Sequence, residues 1–416
     1  MTVTSPSAFK VNRRDLILAI ETAVSLVGVD DTNHGKRVGY IASCIAKQLG
    51  LSDTDVEYAF ELGMLHDIGV STNATHKKLV SEFDWDHAQE HCKIGYELLK
   101  EFPPLAQFAV PILYHHTPYP QLAQADISGR DAMMANLVFL ADRVDVLGAS
   151  HYGSDILLAR MDITAELCHQ ASHYFDFELV QAYIKLAESE AFWIMLQDNH
   201  IHHFTWEMAQ RCANQQSLSL DELKQLSQIM AYIVDQKSPF TAEHSLRVGA
   251  LSLYIAQQYG MGEEQCKKVE IAALLHDIGK LKIPDEILDK PGKLTPEEQA
   301  VMFQHSYETF EILHHINGLE EIAQWASSHH EGINGHGYPF HKSGPNLSME
   351  ARIIAVSDVF QALAQTRPYR EGMNIDKIMV ILEDMVESGK LDRTIVEFVN
   401  HHQQSCYDIA VGNIAA

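Results

Sequence analysis

The sequence predicts an all-α protein of two tandem helical-bundle domains, and three observations predict it. Seven residues of metal-ligand type occur twice in one order, apolar residues recur at helical spacing along the 416 residues, and alternating strand-like runs are sparse. In the C-terminal half the set is His244, His276, Asp277, His305, His329, His330 and Asp358. In the N-terminal half it is His34, His66, Asp67, His91, His115, His116 and Asp142. The first two histidines are 32 residues apart in both sets (276 − 244 and 66 − 34), and the third and fourth are 24 apart (329 − 305 and 115 − 91). Such agreement reads as the duplication of one metal-binding helical domain. The polar patch from Asn214 to Ser219 is the expected boundary, which gives domains at 1–213 and 214–416.

The elements follow from local pattern. Leu16 to Val27 is partly apolar, but Asp15 and Glu21 interrupt it and no small-residue cleavage site follows, so it is neither a signal peptide nor a membrane span. Phe175 to Leu196 and Leu220 to Val234 are expected helices, the second begun by Ser219 with Asp221 and Glu222 in its first turn. His244 to Tyr259 should be a helix with Leu246, Gly249 or Ala250, Leu253 and Ile255 or Ala256 on its inner face. Val269 to Leu275 continues as an apolar helix ending in His-Asp. Thr295, Pro296 and Glu298 supply an N-cap, a proline at the first helical position and a capping-box glutamate, so a helix starts there and carries Met302 and His305 inward. Residues 332–348 hold four glycines, two prolines and two asparagines, which makes a loop.

Composition narrows the function. A formal net charge of −25 argues against a nucleic-acid polymer or an anionic membrane as partner, since either calls for a basic face. A small anion is still admissible where bound cations offset the carboxylates. The six cysteines form no Cys-x-x-Cys pair and no run approaches the roughly 20 apolar residues that cross a bilayer, so a cytoplasmic protein with reduced thiols is expected. Histidine nitrogens with carboxylate oxygens suit borderline divalent ions, and the lack of cysteine in the C-terminal set argues against a structural zinc there. Seven ligands are too many for one ion but fit two ions that share an aspartate, a recurring arrangement for phosphoester hydrolysis.

Four further motifs stand around the C-terminal set: HDIGKLKIPDEIL from His276, KPGKLTPEE from Lys290, HHEGINGHGYP from His329 and ARIIAVSDVFQALAQTRPYR from Ala351. Over roughly Leu220 to Asn400 the chain thus resembles the HD-GYP phosphodiesterases of the HD superfamily. The resemblance implies an HD-type helical bundle that hydrolyses a cyclic dinucleotide, with cyclic di-GMP the family default and 3′,3′-cGAMP its competitor, to a linear 5′-phosphorylated dinucleotide. It implies that His244, His276, Asp277 and Asp358 hold one metal and His305, His329 and His330 the other, with Asp277 bridging and iron or manganese as the ions. Lys280 would reach one phosphate and Arg367 and Arg370 the second, while Gly337, Tyr338 and Pro339 would form the loop beside the site. That loop is also where a diguanylate or dinucleotide cyclase would dock; oligomeric state is left open.

The chain departs from the family pattern at Phe240, Asn334, Gln361 and Thr309. Phe240 stands where some members have a third-metal glutamate, so two metals are expected. Asn334 and Gln361 replace aspartates, and Thr309 a glycine. The N-terminal set keeps ligands, so further metal is expected there, but Val70 stands for Lys280, and His151 and Ser154 stand for Arg367 and Arg370. No GYP loop follows His115. Asp30 lies four residues before His34, and His87 rivals His91 as third ligand. Such a site could bind metal structurally, sense a ligand, or act as a nucleotidase on the smaller product. His314, His315, His341, His401 and His402 are read as core histidines rather than ligands. The rival reading for the whole chain is a non-catalytic cyclic-dinucleotide receptor or interaction module.

Overall fold

The computed structural model describes residues 11–26, 33–70, 89–211, 217–237, 243–366 and 371–413. These are almost entirely helical, with one two-residue antiparallel pairing of Val11–Asn12 with Ser217–Leu218. Two compact units divide the chain: Arg13–Gln216, and Ser217–Ala416 together with Met1–Asn12.

Each unit repeats five segments that carry the duplicated histidines and aspartates. In the N-terminal unit these are the helices His34–Gln48, Asp53–Leu65, Gln89–Leu99, Ala109–Tyr114 and Gly129–Gly148. Their counterparts are His244–Gln258, Glu263–Leu275, Pro296–His314, Glu320–Ser327 and Met349–Ala364. Local chemistry sets their starts. Ser52, Ser128, Thr295 and Ser348 each accept a backbone N–H from the first turn of the helix they cap, and Thr295 with Glu298 completes the expected capping box. Ser219 and Glu222 do the same for Leu220–Lys237.

Some expectations need correction. In His244–Gln258 the buried face is His244, Ser245, Val248, Gly249, Leu251, Ser252, Ile255 and Ala256; Leu246, Ala250 and Leu253 are half-buried. The helix is turned so that its histidine, and not its leucines alone, faces inward. Phe175 to Leu196 splits into Phe177–Ala187, which Asp176 caps, and Glu190–Met195, with the polar pair Glu188-Ser189 as the break between them. Met302 is only half-buried. The five histidines read as core are not: His315, His341 and His401 are exposed, while His314 and His402 are half-buried and stack on Phe310 and Phe398 at 4.4 and 4.2 Å. Asp30, His87, Asn214, Phe240, Arg367 and Arg370 lie outside the described residues. Among those described, no helix is long and apolar enough to cross a membrane.

Candidate metal centres

In the C-terminal unit, Asp235 anchors the segment that carries His244. Its carboxylate accepts Ser245 N–H at 3.1 Å and Ser245 Oγ–H at 2.9 Å, which anchors the start of His244–Gln258. The apolar helix Glu263–Leu275 ends at His276, and a 3-10 turn over Ile278–Lys282 leaves Asp277 between the two. This turn lies against the helix Pro296–His314 so closely that a Cβ on Gly279 would sit 2.0 Å from His305 O. Thr309 closes the contact: its hydroxyl donates to His276 O at 3.0 Å and accepts Gly279 N–H at 3.1 Å.

The histidines are oriented by one device. Nδ1 of His276 donates to Ala273 O at 2.7 Å, that of His305 to Met302 O at 2.6 Å, and that of His329 to Ala326 O at 2.7 Å. A carbonyl only accepts, so each Nδ1 carries a proton and Nε2 is the nitrogen turned toward the site. His244 has no such carbonyl; its Nδ1 lies 2.5 Å from Gln361 Oε1.

The Nε2 atoms converge on Asp277, whose two oxygens face different groups. Oδ2 lies 3.2 Å from His276 Nε2 and 3.7 Å from His244 Nε2, while Oδ1 lies 3.6 Å from His305 Nε2 and 3.8 Å from His329 Nε2. Asp358 Oδ1 joins the first group at 3.3 Å from His244 Nε2. Two clusters result, His244–His276–Asp358 and His305–His329–His330, each with donor atoms within 4.8 Å of one another. The expected ligands are thus brought together. His276 Nε2 and Asp277 Oδ1 are buried with no hydrogen-bond partner among the described residues, as positions built for a cation would be.

Electrostatics agree. Burial lowers His305 to about 3, His330 to about 4 and His329 well below its usual range, so these imidazoles are neutral. Burial works against the charge of Asp277, yet His276 and Lys280 hold it well below the usual carboxylate range. Neutral imidazoles at His305, His329 and His330 beside ionised carboxylates are a donor set that fits divalent metal.

Lys280 Nζ donates to Asp277 Oδ2 at 2.5 Å at the edge of this centre. The loop after His330 is pinned by buried Glu331, which accepts Phe340 N–H at 2.6 Å and Lys342 N–H at 3.0 Å. Gly337 is required there: a Cβ would lie 2.4 Å from Glu331 Cα and His330 O. Tyr338, joined to Pro339 by a cis peptide, sets its ring 4.8 Å from that of His330 and stacks on Phe303 at 4.2 Å. Asn334 holds the far end by donating to Ser388 O at 2.8 Å.

The N-terminal unit repeats the plan. Nδ1 of His66 donates to Gly63 O and that of His115 to Ile112 O, both at 2.7 Å. Asp67 again divides its oxygens, Oδ2 at 3.4 Å from His66 Nε2 and Oδ1 at 3.3 Å from His91 Nε2. Asp142 Oδ1 lies 3.4 Å from His34 Nε2, and His116 Nε2 lies 3.9 Å from Asp142 Oδ2. Here sequence reasoning missed several residues. Asp145 takes His34 Nδ1 at 2.7 Å, Arg37 Nε at 2.6 Å and the Tyr152 hydroxyl at 2.7 Å. Buried Arg143 is paired with Asp142 at 2.7 Å. Burial opposes charge on His34, but the Asp145 bond and three facing carboxylates raise it to about 9. The repeat register held the signal for Asp145, because it follows Asp142 by three residues as Gln361 follows Asp358. His151 and Ser154, opposite Arg367 and Arg370 in that register, bond locally among the described residues: His151 Nδ1 is 2.8 Å from Asp155 Oδ1, and Ser154 Oγ donates to His151 O.

Comparison with known proteins gives this geometry its context. Residues 228–395 and, separately, residues 32–149 match the family described as HD domain. The chain is 37% identical to the 3'3'-cGAMP-specific phosphodiesterase 1 of Vibrio cholerae serotype O1, over 97% of this chain and 94% of that protein. It is 39% identical to a cyclic di-GMP phosphodiesterase of Thermotoga maritima, over 41% of this chain and 46% of that one. A crystal structure of a cyclic GMP-AMP specific phosphodiesterase of V. cholerae superposes with a TM-score of 0.64 at 26% identity, covering 96% of this chain and 98% of the other. The ligand constellation, the loop pinned beside it and a full-length relative together assign the chain: it belongs to the HD-GYP family of cyclic dinucleotide phosphodiesterases, with a second HD domain N-terminal to the HD-GYP unit.

Proposed function

We propose that the C-terminal unit hydrolyses a cyclic dinucleotide to a linear 5′-phosphorylated dinucleotide, with two ions, iron or manganese, held by His244, His276, Asp277, His305, His329, His330 and Asp358. The division of Asp277 between two histidine clusters carries this reading. When bound, the ions supply neutralising charge at the phosphate and acidify the attacking water. The residues do the rest. Backbone carbonyls orient the imidazoles of His276, His305 and His329, and burial keeps His305, His329 and His330 neutral as donors. Lys280, freed from Asp277 once that carboxylate is engaged, turns its ammonium to a phosphate oxygen. Gly337 lets the loop lie against His330 so that Tyr338 walls the site, and Arg367 and Arg370 grip the second phosphate through guanidinium geometry.

Two relatives named for 3'3'-cGAMP match nine-tenths or more of the chain, while a third so named and those named for cyclic di-GMP match less than half of it. This supports 3′,3′-cGAMP ahead of cyclic di-GMP as the substrate. Competition between the two, with protein loaded with iron, with manganese and with neither, tests the reading. Faster loss of cyclic di-GMP would reverse the preference, and intact substrate in every metal condition would favour the non-catalytic receptor. The reading extends to a second metal site in the N-terminal unit formed by His34, His66, Asp67, His91, His115, His116 and Asp142. This unit is a nucleotidase for the 5′-phosphate of the linear product. Buried Arg143 beside Asp142 supports that extension, because it brings a cation to a centre where Val70 replaces Lys280. The two units are proposed to act as separate domains, and the GYP loop to be the face that meets a cyclase.

A further inference from the structure

Cys92 and Ser306 occupy the same place in the two units, each directly after the third histidine of its set. Both side chains turn toward that histidine: Ser306 Oγ lies 3.2 Å from His305 Nε2, and Cys92 Sγ lies 3.7 Å from His91 Nε2. The sulfur is also 3.5 Å from His115 Nδ1, and Cys92, His91 and His115 each offer a donor atom within 4.8 Å of the others. All three residues are buried. His115 uses its Nδ1–H on Ile112 O, which leaves Nε2 as its donor, 3.2 Å from His91 Nε2. A separate observation points to a cation here. Asp67 is 7% exposed, and its Oδ1 has no hydrogen-bond partner among the described residues while it faces His91 Nε2 at 3.3 Å.

An ion about 2.0–2.1 Å from imidazole nitrogen and about 2.3 Å from thiolate sulfur spaces its tetrahedral donors by about 3.3–3.7 Å. The three distances from His91 Nε2 lie close to that range: 3.2 Å to His115 Nε2, 3.3 Å to Asp67 Oδ1 and 3.7 Å to Cys92 Sγ. We propose that Cys92 is a thiolate ligand in the N-terminal unit, sharing an ion of the zinc class with His91 Nε2, His115 Nε2 and Asp67 Oδ1. The thiol proton passes to solvent as the metal binds. Sulfur ligation favours the softer ion, so the two centres of one chain take different metals: the C-terminal set, with a serine in this position, keeps the harder oxygen and nitrogen environment. This inference rests on the reading that the N-terminal unit holds metal.

Cobalt(II) separates the two. Full-length Asp277→Ala protein, which disables the C-terminal centre, is stripped with chelator and reloaded with cobalt. Visible absorption reports cobalt held by the protein, and a near-ultraviolet sulfur-to-cobalt charge-transfer band reports the thiolate. The expected result is both signals in that protein and loss of the near-ultraviolet band when Cys92→Ser is added, with Cys168→Ser leaving it in place. Bound cobalt without the band, or a band that survives Cys92→Ser, overturns thiolate ligation while the metal reading stands; no bound cobalt overturns both. Should Cys92→Ser not fold, zinc X-ray absorption on the wild-type protein decides, since thiolate ligation requires a sulfur shell at about 2.3 Å and a shell of nitrogen and oxygen alone contradicts it.

Discussion

His244 Nδ1 donates to Gln361 Oε1 at 2.5 Å, where the other unit sets His34 Nδ1 against the Asp145 carboxylate at 2.7 Å. A neutral amide orients the imidazole without adding negative charge, whereas a carboxylate also makes its Nε2 a stronger donor. Gln361→Ala removes the acceptor and should weaken metal binding in the C-terminal unit by about 10- to 100-fold. Gln361→Asp should strengthen it. Competition against a chromophoric chelator measures both; equal affinity in Gln361→Ala and wild type contradicts the role.

Lys280 is the one cation bonded to Asp277 among the described residues, and Val70 replaces it in the other unit. Lys280→Met should lower kcat/KM for the cyclic dinucleotide by about 100-fold. Metal content should stay unchanged by elemental analysis, because Lys280 is not a ligand. A matching loss of metal would make its role structural.

Thr309 is fully buried and satisfies Gly279 N–H and His276 O at once. Thr309→Val keeps the volume but orphans both groups, so it should destabilise the C-terminal unit by about 1–3 kcal/mol. Denaturant unfolding checks this. An unchanged midpoint would show that the Thr309 hydroxyl contributes nothing.

How much of this was legible follows from what a sequence encodes. The constellation, the helix that starts at Thr295 and the loop around Gly337 were readable, because spacing, capping residues and glycine carry local rules. The inner face of His244–Gln258 was misread, since hydrophobicity alone ranks Leu246 and Leu253 above His244 and Ser252, while the fold buries the polar residues that build the site. Asp145, Arg37 and Cys92 were missed because their meaning depends on contacts across more than 20 residues, and Arg143 because nothing local to it says that it is buried beside Asp142. The half-buried histidines at 314 and 402 were misplaced although the sequence held the signal: Phe310 and Phe398 stand four positions earlier on the same helix face, and each ring stacks on its histidine.

Lys237 supplies a pH test away from the ligands. Burial lowers its ammonium from 10.5 to about 8, against the opposing pull of Asp285, while it donates to Leu281 O behind the catalytic turn. Between about pH 8 and 10.5 the folded state therefore binds fewer protons at this site than the unfolded state, and stability should rise with pH across that window. Lys237→Met should remove this component of the slope. Unfolding of metal-free protein at intervals from pH 7.5 upward measures it, and identical slopes in the two proteins would contradict the assignment.

The central claim is that Asp277 and its two histidine clusters are the phosphodiesterase centre. Product analysis of manganese- or iron-loaded wild-type, Asp277→Ala and Asp67→Ala proteins with 3′,3′-cGAMP tests it most directly. The account predicts a linear 5′-phosphorylated dinucleotide from wild type, intact cyclic substrate with Asp277→Ala, and ring opening retained with Asp67→Ala, which should accumulate the phosphorylated linear product. Ring opening by Asp277→Ala at the wild-type rate would contradict it.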